Sequence, residues 1–149
     1  MNTPHAERPV LPGAAGAAVT GAVLAAGAVS FFSWVERHNE QVCETTDGLC
    51  WTWWDWAAVP LALTCALIAL MAVYERLGIA PRLAVVLPTL ALAVFPLAAS
   101  QTAGGWWAAA VAGGAWSAAL AVAAWDRYRT PALSAAAALL LASLVALYR

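Results

Sequence analysis

No lysine occurs anywhere in this chain, and only 10% of its residues are charged, against ~25% in an average soluble domain. The basic residues are arginines and two histidines, and the net charge is -1. That balance excludes the basic face with which nucleic-acid-binding proteins neutralise phosphates. It also excludes a polybasic patch for lipid headgroups. Charge is missing most completely from five stretches, residues 13–34, 56–74, 83–100, 106–125 and 131–148, none of which holds an Asp, Glu, Lys or Arg. Proton relays, ion pathways and intramembrane hydrolases place ionisable groups at membrane depth, so their usual signature is lacking. The HExxH zinc motif, the phosphate-cradling glycine loop and the paired-carboxylate motif of prenyl transfer are lacking as well, and nothing calls for a cofactor or a metal.

What is present is apolar. Hydrophobic residues make up 64% of the 149, and mean hydropathy is +0.76. A helix rising ~1.5 Å per residue crosses a ~30 Å hydrocarbon core in roughly 17–25 apolar residues. Each of the five stretches meets that length. The expected fold is therefore an all-α, polytopic integral membrane protein with about five transmembrane helices in one domain, preceded by a short cytoplasmic tail over residues 1–12. With the N-terminus inside, Arg8, Arg76, Arg82, Arg127 and Arg129 are cytoplasmic while Arg37 and Arg149 lie outside, so the arginine bias predicts an N-in, C-out orientation. Residues 13–34 could also be read as a signal peptide cleaved near Ala26-Gly27-Ala28. The run is long for one, however, and Glu7 sits beside Arg8, which favours an uncleaved first helix. Alanine richness without lysine suggests a GC-rich bacterial genome and hence the plasma membrane.

Small residues recur at every fourth position in two of the runs. Gly13, Ala17, Gly21 and Ala25 form one stripe, and Gly105, Ala109, Gly113, Ser117 and Ala121 form the other. Such stripes let helix backbones approach closely in lipid, within one bundle or between protomers. Pro88 and Pro96 fall inside the third run, which is thereby the helix expected to bend. Trp56 and Tyr74 share the separation of Trp107 and Trp125, a faint echo of a helical-hairpin repeat.

The only long polar segment is the expected outer loop, residues 35–55. Glu36, His38, Glu40, Glu44, Asp47 and Asp55 make it an acidic candidate recognition surface, with a spacing that matches no defined metal site. Cys43 and Cys50 flank Asp47-Gly48, a favoured hairpin-turn pair, on the expected oxidising side, and predict a disulfide that closes the loop. Cys65, nine residues into the second run, is expected to be a small buried thiol. Thr52-Trp53-Trp54-Asp55 has the form of a helix-capping box. Trp34, Trp51, Trp53, Trp54, Trp56, Trp106 and Trp107 all fall at the outer interface, where indoles anchor helices by placing the ring among acyl chains.

Three functions fit these features. The leading one is a small non-enzymatic accessory or interaction subunit that works through helix contacts with itself or another membrane protein and through its outer loop. The second is a carrier or permeation component for an apolar or neutral solute. The third follows from the outer cysteine pair on a small helical bundle, which resembles the vitamin K epoxide reductase family. That resemblance implies electron transfer from thiols to a quinone through a second, Cys-x-x-Cys pair, and this chain has no such pair.

Overall fold

The computed structural model describes residues 10–43, 52–78 and 82–149. Six α-helices account for most of them: α1 (Val10–Val42), α2 (Trp53–Leu77), α3 (Arg82–Leu92), α4 (Val94–Ala103), α5 (Trp106–Val122) and α6 (Arg129–Tyr148), with a single 3-10 turn at Asp126–Tyr128 leading into α6. Four helical stretches are long and apolar enough to cross a membrane: Val10–Val42, Trp53–Leu77, Val85–Thr102, which joins α3 to α4, and Asp126–Tyr148. The expectation of five is met only in part. The run over residues 106–125 yields a helix of 17 residues, about 25 Å at ~1.5 Å per residue, because the chain leaves the helix at Ala123 and turns through Trp125.

Boundaries differ from the sequence reading where polarity and helicity part company. α1 has 33 residues, so residues 35–42 of the expected outer loop continue the helix. Glu36, Arg37 and Glu40 end the apolar stretch, yet their long side chains keep helical backbone and reach water, so the hydrogen-bond ladder runs on. α2 starts three residues earlier than expected because Thr52 caps it. Its far end closes on Gly78, which takes a left-handed conformation (φ 68) and donates its N–H to the Glu75 carbonyl at 3.1 Å. Pro60 consequently lies two turns inside α2 without interrupting it. Residues 44–51, including Cys50, Glu44, Asp47 and Trp51, lie outside the described residues, and so does one end of the expected Cys43–Cys50 bridge.

The bundle is built around α1 and α5. Gly13 faces Trp125, Gly21 faces Gly113 and Ser117, and Ala25 faces Gly113, so the two helices run antiparallel. α2 returns beside α1, with Leu77 against Gly16. α6 packs on α4 and α5. Trp116, Tyr74, Leu70 and Val86 are the largest fully buried side chains. The Trp116 indole N–H donates to the Thr89 carbonyl at 3.0 Å, which holds the ring in place at the centre of the bundle. The Tyr74 hydroxyl is buried with no hydrogen-bond partner among the described residues. Cys65, expected to be buried, is exposed on the outer side of α2: helical phase turns it away from the face that carries Ala66 and Leu70.

Candidate functional site: an apolar cleft and its aromatic cap

The cleft begins with Pro96. Proline has no N–H to donate, and its ring crowds the carbonyl four residues earlier, here Leu92. The helix is interrupted at that point: α3 ends at Leu92, Ala93 is a turn residue, and α4 starts at Val94. The two halves then follow different neighbours. α3 packs on α2, whereas α4 packs on α5 and α6 and makes no comparable contact with α2. A cavity of about 290 Å³ opens between them.

Its α2 wall is Val59, Ala62, Leu63 and Ala66, a spacing that places all four on one helix face. Leu90, Ala93, Val94 and Leu97 line the opposite wall, and Gly21, Ala25, Gly113 and Trp116 close the back. Val59, Leu63 and Val94 are all at least half exposed, so the cleft opens sideways, toward what would be lipid. The polar groups that border it include Thr89, whose hydroxyl is bonded back to the Val85 carbonyl at 2.5 Å and whose own carbonyl takes the Trp116 N–H. A Thr hydroxyl committed in this way offers little to a polar ligand. The chemistry of the cleft is shape and dispersion.

One turn beyond the cleft, α1 and α2 are tied together. Asn39 donates its amide to Asp55 at 3.0 Å and accepts the Thr52 hydroxyl at 2.8 Å, while the Thr52 backbone N–H donates to the Asp55 carboxylate at 2.7 Å. Thr52 and Asp55 were legible as a cap. Asn39 was not, because nothing in a sequence marks a partner sixteen residues away. Beneath this clasp Trp54 packs edge-on against both Trp34 (5.3 Å between centroids) and Phe31 (6.2 Å). His38 stacks on Trp34 at 5.2 Å with the rings nearly parallel. Aromatic pairs at such distances and tilts stabilise a contact beyond the area they bury.

The other predicted site residues are more dispersed. Trp53, Trp56, Trp106 and Trp107 are all more than half exposed. Glu36 and Glu40 are exposed on α1, and Asp55 is engaged in the clasp. No group of three or more His, Cys, Asp or Glu side chains able to hold a metal is found among the described residues. Gly13, Ala17, Gly21, Ala25, Ala109, Gly113, Ser117 and Ala121 are buried, with Ala17, Ala109 and Ala121 fully so, in the α1–α5 region of the bundle. Gly105 is set apart from that stripe. With Gly104 it adopts positive φ (96 for each) and forms the α4–α5 turn, a conformation open to glycine.

No family model, no curated protein and no solved structure matches this chain.

Proposed function

We propose that this protein is a small non-enzymatic membrane subunit that works by binding, and that the bound group enters the α2–α4 cleft sideways from the bilayer. The observation that carries this reading is the cleft itself: about 290 Å³, apolar, and opened by the interruption at Ala93 within a stretch long enough to cross a membrane. Pockets that hold apolar ligands are concave, largely preformed and sparing in polar groups. In this reading the chain crosses the plasma membrane five times, N-in and C-out, with α5 as the short central crossing. A Cys43–Cys50 disulfide closes the outer turn. It is supported by Cys43 lying immediately after the end of α1, four residues past Asn39 of the clasp, and not being a free thiol.

The small-residue stripes are engaged between α1 and α5, so a partner would use the cleft rather than those faces. A second reading, a carrier for an apolar solute, is favoured by the same interruption at Ala93, where α4 can pivot against α3. One experiment tests both. A photo-activatable amino acid is placed at Ala62, inside the cleft, and at Ile68, exposed on the far side of α2, and irradiated in native membranes. A protein adduct at Ala62 that is absent at Ile68 supports the interaction subunit, and a discrete small-molecule adduct supports the carrier. Identical adduct patterns at the two positions would overturn both.

A further inference from the structure

A second cavity, of about 410 Å³, lies between α3, α5 and α6 near the turn that carries the arginines. We propose that it is the binding site of a phospholipid with a primary-amine headgroup, of the phosphatidylethanolamine type. The cavity is amphipathic along its length. Its inner part is apolar, with Val85, Leu92, Leu120, Leu133 and Leu140 among the lining side chains, and its rim carries Asp126 and Arg129.

Depth and charge both fit such a lipid. Arg129 is the first residue of α6, so it sits at the end of the membrane-spanning segment, and Leu140 lies about 16 Å deeper at ~1.5 Å per residue. An acyl chain entering beside Arg129 can follow that wall. Asp126 and Arg129 are one 3-10 turn apart, the Arg129 backbone N–H being donated to the Asp126 carbonyl, so the two side chains emerge on the same side. Both are exposed, and among the described residues neither has an ion-pair partner within 4.0 Å, including each other. The neighbouring Arg127 is instead placed over the Tyr128 ring, 5.7 Å from its centroid. Opposite charges that flank an apolar cavity without pairing are the complement of a zwitterion: the guanidinium takes the phosphate in a forked geometry, and the carboxylate takes the ammonium. A choline head has no N–H to donate to Asp126, and a glycerol head offers that carboxylate only neutral hydroxyls, without the charge assistance of an ammonium.

The test is native mass spectrometry of the purified full chain, offered equimolar phosphatidylethanolamine, phosphatidylcholine and phosphatidylglycerol with the same acyl chains. The ethanolamine lipid is retained preferentially, by about tenfold if one charge-assisted hydrogen bond decides the choice. Asp126→Asn reduces that preference toward the level of the choline lipid, and Arg129→Gln weakens retention of all three. Both side chains are exposed, so neither change threatens the fold. Equal retention of the three lipids, preference for the glycerol lipid, or a preference unmoved by both substitutions would overturn the proposal.

Discussion

Adding one methyl group to α1 should have opposite effects at two positions six residues apart. A Cβ at Gly21 would lie 2.5 Å from the Gly113 carbonyl oxygen and would also meet the Ser117 hydroxyl, so backbone as well as side chain stands in its way. Carbon atoms prefer separations of ~3.5–4.0 Å, and a retreat of ~0.5–1 Å forfeits a quarter to a half of each dispersion contact along the interface. Overpacking of this kind costs about 1–3 kcal/mol, offset by the ~0.5–1 kcal/mol that alanine gains over glycine within a helix. Gly21→Ala should therefore destabilise the protein by roughly 1 kcal/mol, and Gly21→Val by more. Gly27, in the same helix, has nothing within 4 Å of the equivalent position. There only the backbone term acts, and Gly27→Ala should stabilise by about 0.5–1 kcal/mol. Equilibrium unfolding in mild detergent, followed by fluorescence of the nine tryptophans, of which Trp116 is 1% exposed, measures both. If both substitutions stabilised the protein equally, the close α1–α5 approach would not exist as described.

Two further outcomes are expected. Thr52→Ala and Asn39→Ala should each cost about 1 kcal/mol in the same unfolding assay, and the double variant should lose less than their sum because the residues share a hydrogen bond; strict additivity would count against the clasp. Alkylation of the SDS-denatured, unreduced chain should add one label, at Cys65, and reduction should raise the total to three. Three labels without reductant would remove the proposed Cys43–Cys50 bridge.

The sequence carried the helical architecture because the bilayer constraint is one-dimensional: uncharged length and proline position can be counted along a chain. Pro96 marked the bend, and the helix breaks four residues before it, at the carbonyl its ring displaces. Thr52 and Asp55 marked a helix start for the same local reason. What was illegible depends on helices meeting. The charged residues after Val35 signalled the edge of lipid but not the end of α1, since water solvates side chains without breaking a backbone ladder. The end of α5 at Val122 has no proline or glycine to announce it. The orientation of Cys65 followed from which face of α2 packs inward, and residue counting had placed it only by depth. The cleft is a gap between two helices that diverge, so it belongs to no segment of the sequence and only its cause, Pro96, could be seen there. Trp116 looked like one more aromatic in an apolar run, and its hydrogen bond to Thr89 required the fold.

Trp116 lines both cavities, the lateral cleft on one flank and the amphipathic pocket on the other. The two cavities therefore share one residue as a common wall. A ligand in either cavity that shifts the indole alters the fit of a ligand in its neighbour, and by thermodynamic reciprocity the influence is equal in both directions.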